Sequence, residues 1–178
     1  MKKVGLIVLC VSLCIFLVPI ITSAAGPEDP YYRGWATSNV GSSVSLAGTA
    51  DDSQGHSSFT QTITLKEFGN DHLVIQIART ENGKSLVKTK KVYKFGDATD
   101  RIEYLGQEVI VVAGKSFNCE RYTLTLFDKS GKEMMKFAYW FHPDIPGAAR
   151  IVSQSSYGSD SGLVTTKATQ TAVSWDKK

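Results

Sequence analysis

Residues 72–95 read HLVIQIARTENGKSLVKTKKVYKF, two alternating runs joined at Asn82-Gly83. A two-residue hairpin loop of type I′ needs positive φ at both central positions, and Asn-Gly meets that need best. The two runs are therefore expected to pair antiparallel, with Leu73, Ile75 and Ile77 on one face. This hairpin constrains the chain more than any other stretch, because its rhythm recurs almost everywhere downstream.

In SSFTQTITLKEF, Phe59, Ile63 and Leu65 share one face, and Thr60, Thr62, Thr64 and Lys66 the other. EYLGQEVIVVAG, KSFNCERYTLTLF, EMMKFAYWFH, ARIVSQSSYG and GLVTTKATQTAVSW follow, separated by Gly, Asp, Ser and Pro. No window sustains a 3.6-residue apolar period. A short turn or helix around Arg33 to Asn39, presenting Trp35, is the one exception expected. About nine strands with short connections suit an antiparallel meander. Pattern alone leaves a sandwich, a closed barrel and a strongly curved half-barrel open.

The N-terminus reads MKKVGLIVLCVSLCIFLVPIITSAAG: two lysines, an apolar run from Val4 to Ile21, then small residues. This is the pattern of a cleaved export signal over 1–25, followed by a polar leader over 26–34 and one all-β domain over 35–178. An uncleaved N-terminal membrane anchor is the alternative. Leu9 precedes Cys10 and Leu13 precedes Cys14, so neither cysteine has the small preceding residue of a lipid-modified signal. The mature chain would be periplasmic or secreted, without a stable membrane span. The formal charge is +3, of which Lys2 and Lys3 supply two, leaving +1. A nearly neutral domain gives no electrostatic footprint for nucleic acid.

Of three cysteines, only Cys119 lies beyond the export signal. As a nucleophile it would want a base, for which His142 and Asp144 are the right types, but no spacing brings them together. A small hydrophobe buried in a sheet is the plainer role. Phe117 and Cys119 share one parity while Tyr122, Leu124 and Leu126 carry the other, which suggests a β-bulge near Glu120-Arg121. His56, His72 and His142 have no metal-ligand spacing, and no phosphate loop or nucleophile elbow occurs. No catalytic residue, metal or cofactor is expected.

Lys84, Lys88, Lys90 and Lys94 fall on one parity of a single strand. They form either a basic strip for an anionic lipid or an acidic envelope partner, or a guard for an exposed edge. In EMMKFAYWFH, Met135, Phe137, Tyr139 and Phe141 line one face, while Met134, Ala138 and Trp140 line much of the other. A strand apolar on both faces must be covered on both, or must line a cavity for an apolar ligand.

VAGKSFNCERYTLTL and YWFHPDIPG together resemble a class of uncharacterised bacterial envelope β-proteins, with VGSSVSLA and TITLKE resembling its earlier strands. The likeness runs from about Trp35 to Trp175. That class is similar in turn to the lipoprotein-carrier (LolA-like) half-barrels, whose curved antiparallel sheet shelters acyl chains. The resemblance implies Gly114 as a turn glycine, and Phe117 and Cys119 as inward strand residues. It makes Tyr139, Trp140, Pro143, Asp144, Pro146 and Gly147 a strand end and its corner. It implies no catalytic residue. The carriers plug their half-barrel with helices, for which this sequence offers no evident candidate.

The expectation is an all-β, single antiparallel meander forming a curved sheet or half-barrel. Its function would be non-enzymatic: holding a lipid or other apolar ligand on Ile75, Ile77, Phe117, Cys119, Phe137, Tyr139 and Phe141. The alternative is a structural or protein-interaction module of the envelope with a filled core.

Overall fold

The computed structural model describes residues 26–53, 55–159 and 162–178, with backbone alone at 157–159 and 162–164. The export segment read at 1–25 lies outside the described residues. One short helix, α1 (Pro30–Trp35), precedes nine strands. These are β1 (Ser43–Asp52), β2 (Gly55–Phe68), β3 (His72–Glu81), β4 (Lys84–Tyr93), β5 (Arg101–Val112), β6 (Lys115–Phe127), β7 (Glu133–Phe141), β8 (Arg150–Ser159) and β9 (Gly162–Asp176). They make a single antiparallel sheet in the order β4-β3-β2-β1-β9-β8-β7-β6-β5, not closed into a barrel. The leading hairpin forms as its sequence requires: β3 and β4 pair from His72↔Tyr93 to Glu81↔Lys84. Asn82 and Gly83 have φ of 51° and 73°.

The curvature follows from the connectivity. β4 and β5 are the two free edges of the sheet, yet they are consecutive in the chain, joined by residues 94–100. A flat sheet would hold edges of nine strands roughly 38 Å apart, at about 4.8 Å per neighbour. The chain from Tyr93 to Arg101 can reach only about 28 Å when fully extended. The sheet must therefore curl until its edges approach. Extra residues help: Lys66 in β2, Val173 in β9 and Met134 in β7 each oppose no partner across a register shift, and β5 carries another between Tyr104 and Gln107. Such bulges sharpen the local right-handed twist.

The concave face holds Val44, Leu46, Ile63, Leu65, Ile75, Leu124, Tyr139 and Ile151, all buried. Into it runs α1. Asp29 stands at the N-cap, its Oδ1 accepting the Tyr31 amide at 2.7 Å, and Pro30 opens the first turn. Both favour helix initiation at this point. The helix thus starts three residues before the Arg33–Asn39 segment where a turn or helix was expected. It also supplies the plug for which the sequence offered no candidate; six residues are too few to show a period. Trp35 is fully buried, Tyr32 nearly so, and the Tyr32 hydroxyl donates to the Gly69 carbonyl at 2.8 Å.

The segment read as a polar leader is tied to the 94–100 connection. The Asp29 amide donates to the Lys94 carbonyl at 2.7 Å, and the Gly96 amide to the Pro27 carbonyl at 3.1 Å. Glu28 and Phe95 form an isolated antiparallel bridge. Two strands of chain thus strap the gap between the edges.

After β7 the corner at 142–149 turns back over α1, burying Ile145, Pro146, Ala148 and Ala149. Gly147 has φ 69°, and its amide donates to the Gly34 carbonyl at 3.1 Å. A Cβ there would lie 2.7 Å from the Trp35 indole. Both the backbone conformation and the space demand glycine. Gly147→Ala should lower unfolding free energy by about 2 kcal/mol or more through strain and displacement of the plug. Trp35→Ala should lose about 3–5 kcal/mol. Urea denaturation midpoints check both, and a loss under about 0.5 kcal/mol in either would contradict this packing.

Candidate ligand cavity

Between α1 and the far end of the sheet the concavity is not filled. A hollow of about 330 Å³ remains, bounded by Ile63, Ile75, Ile77, Val92, Ile102, Leu124, Leu126, Met135, Phe137, Tyr139 and Ile151. Strand register explains the assembly. Ile63 lies opposite Ile77, Leu124 opposite Phe137, and Tyr139 opposite both Tyr122 and Ile151, so each apolar parity meets its neighbour's on the inner side. Along β7, Phe137, Tyr139 and Phe141 stack as a ladder with centroids 5.6 Å apart at each step. The Tyr31 ring lies 5.6 Å from that of Tyr139 and closes the plug end. The cavity reaches the gap between the sheet edges, since Lys90 of β4 and Ile102 of β5 both line it.

Four of the residues expected to line a ligand, Ile75, Ile77, Phe137 and Tyr139, meet on this wall. Phe141 lies beyond the plug, in a second, more polar hollow of about 490 Å³ with Arg33, Glu120, Tyr122 and His142. There the Tyr122 hydroxyl accepts from Arg33 Nη1 at 3.0 Å and donates to Glu120 Oε2 at 3.0 Å, while Arg33 Nη2 stands 3.6 Å from the same oxygen. The polar network caps this end without leaving a charge alone.

Phe117 and Cys119 line neither hollow; Cys119 belongs to the buried hydrophobic core, and Phe117 packs against it. The bulge sits in β5, between Tyr104 and Gln107, and β6 runs through Glu120-Arg121 without a break. Phe117 and Cys119 consequently keep the parity opposite to Glu120, Tyr122 and Leu124. Phe117 packs its ring 4.9 Å from His142 and 5.6 Å from Trp175. Cys119 is fully buried and pairs across the ladder with Glu108. No hydrogen bond joins it to His142 among the described residues; His142 Nδ1 instead accepts the Asp144 amide at 3.2 Å.

The Lys84, Lys88 and Lys90 side chains belong to an edge strand. Lys88 lies opposite Ile77 and Lys90 opposite Ile75, so the strip continues the parity of the apolar wall out to its rim. Lys94, just past β4, approaches Glu28 at 3.9 Å. Each histidine has a local carboxylate: His56–Asp51 at 2.7 Å, His72–Asp71 at 2.6 Å and His142–Asp144 at 3.7 Å. Among the described residues no group of three or more His, Cys, Asp or Glu is placed to hold a metal ion. Likewise no helix among them is long and apolar enough to cross a membrane.

Sequence reasoning missed the plug end of the cavity. Tyr31, Asp29 and Asp100 line it, together with Pro27 and Gly96. Burial raises the carboxyls of Asp29 and Asp100 above the usual carboxylate range, opposed at Asp29 by the Tyr31 amide and at Asp100 by the Asp97 amide. The signal available was Asp29-Pro30, a helix start in a stretch too short to look structured.

No family model matches the chain, and no curated protein matches it. Solved structures give weak likenesses. A candidate lipoprotein from Parabacteroides distasonis has a TM-score of 0.36 at 10% identity, covering 78% of this chain and 96% of its own. A candidate outer membrane lipoprotein-sorting protein domain from Vibrio parahaemolyticus has a TM-score of 0.34 at 8% identity, covering 82% and 89%. A DUF1329 family protein from Desulfovibrio piger has a TM-score of 0.31 at 10% identity, covering 86% and 94%. The functional reading rests on the cavity's own geometry.

Burial, with the nearby Glu108 carboxylate, pushes the Cys119 thiol up to about 11. The thiolate is the reactive form, so little of it exists near pH 8. Iodoacetamide should leave the folded protein unmodified over a period that fully alkylates it in urea. Rapid labelling of the native protein would contradict this placement.

Proposed function

We propose that this protein is a non-enzymatic, exported envelope protein that holds an apolar ligand, such as a lipid acyl chain, inside its curled sheet. The carrying observation is the hollow of about 330 Å³ walled by aliphatic and aromatic side chains from several strands. Protein interiors rarely contain voids much larger than a water molecule. One this large forfeits dispersion contacts along its lining, which an apolar occupant would restore. The volume falls at the lower end of ordinary small-ligand sites, about 300–1,000 Å³.

The wall suits retention through burial alone. Removing apolar surface from water is worth about 25 cal/mol per Å², with no directional demand on the ligand. The polar members of the lining are spread around an apolar middle: Asp29 beside the plug, Lys90 and Asp100 at the two sheet edges, and Gln61, Ser153 and Gln170 farther along the strands. An elongated molecule with a hydrocarbon body fits that distribution. The lysine strip on the rim would draw anionic surfaces toward the opening.

Native mass spectrometry of the protein purified from its own envelope, followed by denaturing release, tests the reading. A stoichiometric apolar adduct is expected. Ile77→Trp, which places an indole in the hollow, should abolish it while leaving the circular dichroism spectrum unchanged. A clean apo mass, together with failure to take up any long-chain alkyl probe, would overturn the reading and favour a filled interaction module.

A further inference from the structure

The free edge of β4 carries a pattern that the cavity does not use. From Lys84 to Lys91 every residue is exposed, on both faces of the strand. Five lysines, Lys84, Lys88, Lys90, Lys91 and Lys94, stand between residues 84 and 96 without one Asp or Glu among them. Lys94 approaches Glu28 at 3.9 Å, Lys90 acts on the charge of Asp29, and Lys91 on that of Asp71. Lys84 and Lys88 form no ion pair among the described residues. Glu81, the carboxylate nearest them in sequence, already accepts from Arg79 Nη2 at 2.9 Å and Ser57 Oγ at 2.6 Å. Between and beyond the lysines lie Leu86, Val87, Tyr93 and Phe95, each about half exposed.

Lysines alone would guard a free edge against pairing with another chain. A guard gives no reason for four large apolar side chains beside them. Leu86 and Val87 are neighbours of opposite parity, so they flank the strand on both sides, just where Lys84 and Lys88 stand. Interleaved lysines and apolar or aromatic side chains suit the boundary of an anionic bilayer. The ammonium groups meet lipid phosphates while the apolar groups enter the headgroup layer. An acidic protein surface would match the lysines alone. The chain also enters the fold at this place: the Gly96 amide donates to the Pro27 carbonyl at 3.1 Å, which sets Gly26 beside the end of β4. The apolar run Val4–Ile21 ends a few residues before it. As an export signal or as an anchor, such a run is held in a bilayer while attached. Resting on the reading of the hollow as a ligand site, we propose that the β4 edge docks on anionic membrane surfaces and seats the opening of the cavity, with Lys90 on its lip, against the lipid.

Flotation with lipid vesicles tests this, using residues 26–178, which carry the plug and all nine strands. Vesicles of phosphatidylcholine and phosphatidylglycerol in equal parts should bind at least about tenfold more tightly than phosphatidylcholine alone, since each lysine near the surface adds about fivefold. Lys84→Gln with Lys88→Gln should cost about tenfold or more. Leu86→Ser with Val87→Ser, which leaves the charge unchanged, should cost severalfold. Val87→Trp should add a blue shift of emission on the anionic vesicles that the parent protein lacks. All these positions are exposed, and an unchanged circular dichroism spectrum checks that each variant folds. Equal binding to both vesicles, or binding that survives both pairs of substitutions, would overturn the docking edge. Binding to polyglutamate with none to vesicles would overturn it in favour of an acidic protein partner. Uptake of an alkyl probe in solution reads the cavity separately. Uptake without docking overturns this inference and leaves the ligand reading standing; docking without uptake removes the ligand reading and keeps the edge.

Discussion

The seven residues from 94 to 100 set the shape of the molecule. They must join the two opposite edges of a nine-stranded sheet, and they are too short to do so across a flat one. Curling is the only solution that keeps every strand paired. Once the sheet curls, its inner side chains converge, and the inner parity must be largely apolar. Ile63 and Leu65 of β2, Leu73, Ile75 and Ile77 of β3, Leu124 and Leu126 of β6, and Phe137 and Tyr139 of β7 meet that condition. The edges are then near each other without bonding, and the strap made by residues 26–29 against 94–96 covers part of the gap.

The plug is the second consequence. A sheet curled this tightly encloses more volume than its own side chains fill, and α1 occupies only one part. Trp35, Tyr31 and Tyr32 divide the interior. On one side lies the apolar hollow, on the other the Arg33–Glu120–Tyr122 network. Gly147 lets the corner after β7 close over Trp35, so the plug is gripped from both the sheet and the loop. The hollow is therefore a product of topology, and its chemistry is set by whichever residues the register turns inward.

Much of this was legible in the chain because strand periodicity is a local property. Asn82-Gly83 announced its hairpin, and parity alone put Ile75, Ile77, Phe137 and Tyr139 on one wall. What parity could not supply was partner strands. The pairing of β1 with β9 joins distant parts of the chain and leaves no local mark. The irregularity expected near Glu120-Arg121 lies one strand over, in β5, where Gly106 adopts φ 93° in the bulge, while β6 itself keeps its register with β7. The plug was hidden by its brevity, and Asp29 by the polarity of the stretch around it. A carboxylate in a polar leader looks solvated until tertiary structure carries it indoors.

The central claim is that the curled sheet keeps an apolar space that a ligand tail can enter. A crystal structure of the protein grown with a long-chain alkyl alcohol tests it most directly. The account predicts continuous density between Ile75, Ile77, Leu124 and Phe137. A cavity collapsed by inward movement of β4 and β5, or the compound bound only on the outer face, would contradict it.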